Sequence, residues 1–86
     1  MILTVTLRAY DGIHVEMVRE SNAVLITRGN IFLCRIPRNT ELIELDRIAR
    51  RYVTPLVLDP NTRSSDLSHS VTAEKIVRLL LDMFRD

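Results

Sequence analysis

The stretch LTVTLRAYDGIHVEMVRESNAVLITRGNIFLCRIP, residues 3–37, decides the fold of this chain. Its first part alternates apolar and polar residues with a period of two, which is typical of strands with one buried face. Turn-forming residues interrupt the pattern at 10–12, 20–22 and 29–30. The stretch therefore predicts a four-stranded antiparallel meander built from two β-hairpins.

The register of the first hairpin follows from its apolar pattern. A two-residue loop at 11–12 would place Glu16 opposite Leu7, on the apolar face. A three-residue loop at 10–12 places Val15 there instead, with the loop glycine in the left-handed conformation, and this is the register we predict. The predicted pairs are Ala9 with Ile13, Arg8 with His14, Leu7 with Val15, Thr6 with Glu16 and Val5 with Met17.

The second hairpin is predicted to join strands 23–28 and 31–37 through a tight turn at 29–30. Consecutive apolar residues in both strands indicate that both faces of this hairpin require cover. The predicted pairs are Arg28 with Ile31, Ile26 with Leu33 and Val24 with Arg35. This register would place Arg28 and Arg35 on one face, together with Ile26, Ile31 and Leu33.

Two helices are predicted after the sheet. The first spans 41–53, begins with Asn39 or Thr40 as N-cap and ends before Pro55. The second spans 72–84 and begins with Ser70 or Thr72 as N-cap. A short apolar run at 56–58, between the helices, is expected to lie extended at a sheet edge. The sequence thus predicts one α+β domain over residues 1–86, a four-stranded antiparallel meander followed by two α-helices with a short extended segment between them.

Both helices are amphipathic. In the first, one side carries Leu42, Leu45, Ile48, Ala49, Tyr52 and Val53, and the other side carries Arg47, Arg50 and Arg51. In the second, apolar residues cover an arc of about 200°, wider than one core-facing stripe needs. We therefore expect a homo-oligomer that forms through the 72–84 helix, the second hairpin, or both. The alternative is that the first helix covers the excess.

Composition limits the classes of protein that fit. The chain has 86 residues, 47% of them apolar, and no apolar run exceeds four residues, so we expect no membrane span and a cytoplasmic location. A single cysteine, Cys34, excludes an intramolecular disulfide. The formal net charge of +1 does not by itself predict a polyanionic partner.

Residues that could carry catalysis are few. Asp59, Asp66 and His69, in the polar stretch 59–70, could hold a divalent metal for hydrolysis, although turn formation explains the same residues. Cys34 lies within a predicted strand, where an inert buried thiol is usual. There is no Rossmann glycine pattern, Walker sequence or pair of cysteines. We therefore expect no enzymatic activity, no cofactor and no metal site.

The strongest functional signal is arginine. Eleven of the twelve basic residues are arginine, and residues 28–38 contain three arginines and no acid. Arginines beside apolar and aromatic side chains on a sheet are typical of sequence-tolerant single-strand binders. The leading hypothesis is therefore a small homo-oligomeric protein that binds nucleic acid, with single strands favoured over duplex. The sequence does not indicate whether the nucleic acid is DNA or RNA. The alternatives are a protein-interaction or assembly module and a small metal-dependent hydrolase. The candidate nucleic-acid contacts are Arg8, Tyr10, Arg28, Ile31, Phe32, Leu33, Arg35, Arg38, Arg47, Arg50 and Arg51.

Overall fold

The computed structural model describes residues 2–57 and 72–85 and confirms the α+β meander. Four antiparallel strands form one sheet in the order β1-β2-β3-β4, and helices follow the sheet in the chain. The strands are β1 (Thr4–Leu7), β2 (Val15–Arg19), β3 (Ala23–Arg28) and β4 (Ile31–Pro37). The helices are α1 (Leu42–Ile48), which continues as a π-helical segment (Ala49–Val53), and α2 (Ala73–Phe84).

The first hairpin has the predicted register. Leu7 lies opposite Val15, and the pairs of Thr6 with Glu16 and Val5 with Met17 follow along the strands. Gly12 has a φ of 83°, the left-handed conformation that the three-residue loop requires.

The ladder between β1 and β2 ends two pairs earlier than predicted. Its last pair is Leu7 with Val15, so the expected pairs of Arg8 and Ala9 lie outside it. Ala9 instead forms an antiparallel bridge with Val57. This bridge places Val57 beside the β1 end of the sheet, as expected, whereas Leu56 belongs to a turn and Leu58 is outside the described residues.

The second hairpin contains an irregularity that the sequence pattern did not predict. Arg28 pairs with Ile31 as expected, but a β-bulge at Leu33 shifts the remaining register by one residue. Ile26 therefore lies opposite Cys34, and Arg35 lies opposite Leu25. Because of this shift, the prediction that Arg28 and Arg35 share a face is wrong. The sequence does not reveal the extra residue, because consecutive residues in β4 are apolar and do not alternate.

One face of the sheet packs against the helices and forms the core. The fully buried side chains come from both layers: Leu7, Val15, Met17, Val24, Ile26 and Ile36 from the sheet, and Leu45, Val53, Ile76, Leu80 and Met83 from the helical layer. The opposite face, here called the open face, carries exposed side chains, among them Thr4, Thr6, Glu16, Phe32 and Arg35.

The two helix starts differ in their capping. Thr72 is the N-cap of α2, and its hydroxyl accepts a hydrogen bond from the Lys75 N–H at 3.2 Å, as predicted. The prediction for α1 is wrong, because Glu41 is its N-cap and makes no side-chain cap hydrogen bond. The Thr40 hydroxyl donates instead to the Pro37 carbonyl at 2.7 Å, which closes the turn after β4.

The helices cover each other only in part. α1 packs against α2, as the alternative to self-association required, yet Leu81 of α2 is still 43% exposed. Leu42 was expected on the buried side of α1 and is 61% exposed. It lies in the first turn, ahead of Leu45, the residue of α1 that is buried. Within the described ranges, no helix is long and apolar enough to cross a membrane.

Candidate interaction surfaces

Two arginines fix the C-terminal end of α2 to the rest of the fold. Arg19 Nη1 donates to the Met83 carbonyl at 2.9 Å, and Arg38 Nη1 donates to the Phe84 carbonyl at 3.1 Å. The last carbonyls of a helix have no intrahelical donor, and a guanidinium both satisfies them and complements the negative end of the helix dipole. The guanidinium of Arg38, a candidate nucleic-acid contact, is therefore used within the chain.

A second arginine contact joins the two hairpins. Arg28, at the end of β3, forms an ion pair with Asp11 in the first hairpin loop. Its Nε is buried and has no hydrogen-bond partner among the described residues. The Gly29 N–H also donates to the His14 carbonyl at 3.3 Å, so the two turns are held side by side. Arg28 is consequently engaged by a carboxylate of the same chain.

The arginines of the first helix also have partners on their own helix. Arg47 contacts Glu44 at 2.5 Å, and Arg50 Nε donates to Asp46 Oδ2 at 2.9 Å. The guanidinium of Arg51 lies over the ring of Tyr52, 5.5 Å from its centroid. These are pairs between residues close in sequence on an exposed helix face, which stabilise a helix weakly and reduce the charge available to a phosphate.

Arg8 and Arg35 differ from the others. Both are exposed, and neither makes an ion pair within the described ranges. Arg35 lies on the open face beside Phe32, because their partners Leu25 and Thr27 are two residues apart on β3. The open face also carries Glu16, so its charge is mixed rather than continuously basic.

Large apolar side chains are exposed where the two hairpins turn. This hairpin-tip surface consists of Tyr10, Ile13, Ile31 and Phe32, with exposed fractions of 53%, 48%, 63% and 59%. A Cβ placed on Gly29 would lie 3.2 Å from Ile13 Cγ2, so the first hairpin contacts the turn of the second here. The ion pair of Asp11 with Arg28 lies at the same end of the sheet. The hairpin-tip surface is therefore mainly apolar, and the charges of Asp11 and Arg28 beside it neutralise each other.

A groove of about 390 Å³ runs between α1 and α2, here called the α1–α2 groove. Its apolar lining is Leu42, Val77 and Leu81, and its charged lining is Asp46, Glu74 and Arg78. Glu74 and Arg78 are one helical turn apart, yet no ion pair joins them. The groove thus combines an apolar floor with charged groups of both signs.

The structure offers little for catalysis in the part it describes. Cys34 faces the core opposite Ile26, and desolvation by burial raises the pKa of its thiol, which disfavours the reactive thiolate. Leu33, a candidate nucleic-acid contact, is half-buried against the core. No group of three metal-ligating side chains occurs within residues 2–57 and 72–85. The hydrolase candidates Asp59, Asp66 and His69 lie outside those ranges.

Sequence reasoning missed Ile13 and Leu42 as surface residues, because the strand and helix patterns placed both on buried faces. Their positions gave the available signal: Ile13 lies in the loop before β2, and Leu42 is the first residue of α1. Comparison with protein-family models, with curated proteins and with solved structures finds no match to this chain.

Proposed function

We propose that this chain is a protein-interaction module that binds an apolar segment of a partner polypeptide on its hairpin-tip surface. The observation that carries the proposal is the exposure of four large apolar side chains at one end of two hairpins whose turns are held together. Tyr10 and Ile13 lie in the first loop, and Ile31 and Phe32 begin β4, where they point to opposite faces of the sheet. Complete burial of a fully exposed side chain of this size contributes about 1.5 to 3 kcal/mol, so burying the remaining half of each contributes about 1 kcal/mol. Exposed clusters of this kind are typical of interaction sites.

The fixed geometry of the tip supports binding without reorganisation. The Asp11–Arg28 ion pair and the hydrogen bond from the Gly29 N–H to the His14 carbonyl join the two loops before any partner arrives. A preformed surface loses less conformational freedom on binding than a flexible one. The exposed cations Arg8, directly after β1, and Arg35, in β4, favour acidic residues flanking the apolar segment of the partner.

Selection from a random peptide library tests this proposal directly. We expect apolar or aromatic peptides with acidic flanks, and Phe32→Ser should weaken their binding by about tenfold or more. Leu3→Ser is the matched control, because Leu3 is 56% exposed but lies outside the tip, and it should leave the affinity unchanged. Selected peptides that bind Phe32→Ser as tightly as the unaltered protein would contradict the proposal.

Nucleic-acid binding is the second candidate, favoured by one observation: Phe32 and Arg35 are exposed neighbours on the open face. A stacking ring beside a guanidinium without an ion-pair partner suits a splayed base and its phosphate. Fluorescence anisotropy of a labelled single strand, with an equal-length duplex beside it, measures this. The candidate requires salt-sensitive binding that Arg35→Ala removes and Arg47→Ala retains, and flat curves at low salt would exclude it.

A further inference from the structure

We propose that two copies of this chain associate about a two-fold axis through the α1–α2 groove, with their α2 helices antiparallel. The stripe concerned consists of Glu74, Val77, Arg78 and Leu81, which all line the groove. Their spacing of three, four and seven residues places them on one face of α2. This interface is separate from the hairpin-tip surface and does not depend on its function.

The stripe is self-complementary in an antiparallel pair. Its midpoint lies between Val77 and Arg78, so a two-fold axis there places Glu74 opposite Leu81 of the second copy and Val77 opposite Arg78 of the second copy. Arg78 of one copy then lies three residues, or about 4.5 Å along the axis, from Glu74 of the other. An arginine side chain spans that offset, so each interface gains two equivalent ion pairs.

The charges of the single chain agree with this arrangement. Glu74 and Arg78 could form an ion pair within α2, one turn apart, but no pair within 4.0 Å joins them. Asp46, on the opposite wall of the groove, is already paired with Arg50. The charge of Arg78 therefore finds its complement across the axis, on Glu74 of the second copy.

The apolar residues supply the rest of the interface. Leu42 and Leu81 are 61% and 43% exposed in the single chain, and they lie in the same groove. Pairing two copies removes Leu81, which lies on the paired stripe of α2, from water, and this burial favours association. Six lining residues a side is well below the roughly 20 to 30 of a standard interface, so we expect a weak dimer with a dissociation constant on the order of micromolar.

Sedimentation velocity over a range of protein concentrations tests the interface through exchange of charges. Arg78→Glu places like charges across the axis and should weaken the dimer by about tenfold or more. Glu74→Arg should do the same for the opposite reason. Because the two variants are complementary to each other, an equimolar mixture should form a heterodimer at concentrations at which each variant alone is mainly monomeric.

Circular dichroism of each variant verifies that the helices are retained, since these side chains are at the surface. Ile31→Ser, in the hairpin-tip surface, is the matched control and should dimerise like the unaltered protein. A monomer at all concentrations, or an Arg78→Glu protein that dimerises normally, would overturn the proposal. Loss of the dimer in Ile31→Ser with retention in Arg78→Glu would also overturn it and would assign dimerisation to the tip.

Discussion

Replacing Arg38 by alanine separates a structural arginine from a binding one. The Arg38 guanidinium is partly buried and donates to the Phe84 carbonyl at 3.1 Å, at the C-terminal end of α2. A hydrogen bond to a charged group contributes about 1.5 to 3 kcal/mol, and the favourable interaction with the helix dipole is lost with it. We therefore expect Arg38→Ala to lower the free energy of unfolding by about 2 kcal/mol.

For a domain of this length, that loss corresponds to a fall in Tm of about 8 to 16 °C. Thermal unfolding followed by circular dichroism measures it, with urea unfolding as an independent estimate of the free energy. Arg35→Ala is the matched control, because Arg35 is exposed on the open face and forms no ion pair within the described residues. It should change the stability by less than about 0.5 kcal/mol.

The Arg38→Ala substitution should affect the last turn of α2 more than the rest of the molecule. The amide protons of the last turn of α2 should exchange faster in Arg38→Ala, because that turn loses one of its two arginine contacts and keeps only the one from Arg19. Equal Tm values for Arg38→Ala and the unaltered protein would refute the role assigned to Arg38. A larger loss in Arg35→Ala than in Arg38→Ala would refute the distinction between the two arginines.

Three further outcomes follow from local geometry. Gly29→Ala should lower the free energy of unfolding, measured in urea, by more than about 1 kcal/mol, because the φ of residue 29 is 59° and the new Cβ contacts Ile13. At Gly12 the new Cβ has open space, so Gly12→Ala should show the cost of the positive φ alone. A larger fall in the free energy of unfolding for Gly12→Ala than for Gly29→Ala would contradict this. Thr72→Ala should lower the free energy of unfolding by about 1 kcal/mol, and Thr72→Ser should lower it much less because serine keeps the hydroxyl. An equal decrease for both variants would show that the hydroxyl cap is unimportant. Burial raises the pKa of the Cys34 thiol, so the thiol of the unfolded chain ionises first as the pH rises. The free energy of unfolding should therefore fall as the pH rises to about 10. If the free energy of unfolding of Cys34→Ala falls as steeply, Cys34 is not the origin of the change.

The strand pattern alone was enough to define the strands of the sheet and the register of the first hairpin. A one-residue slip in the first hairpin would move Leu7 and Val15 from the core to solvent, so the alternation permitted only one register. The bounds of β3 and β4 likewise follow from the turn at 29–30. These features depend on neighbours in sequence and on a period of two, both of which are visible without a structure.

The register of the second hairpin could not be obtained in this way. Four consecutive apolar residues at 31–34 satisfy either face, so the sequence does not reveal that Leu33 is an extra residue. The bulge moves Arg35 to the open face, whereas Arg28 keeps its predicted register. Only packing of the assembled sheet against the helices decides which residues turn inward.

For the arginines too, the sequence determined some properties and the tertiary structure determined others. The sequence determined their number and their concentration between residues 28 and 51, and it favoured an exposed arginine face on the first helix. The tertiary structure decided their partners: Arg38 reaches a carbonyl 46 residues away, and Arg28 reaches a carboxylate in the other hairpin. A guanidinium has the same composition whether it lies in solvent or caps a helix, and only the packing of distant segments brings an acceptor within hydrogen-bond distance.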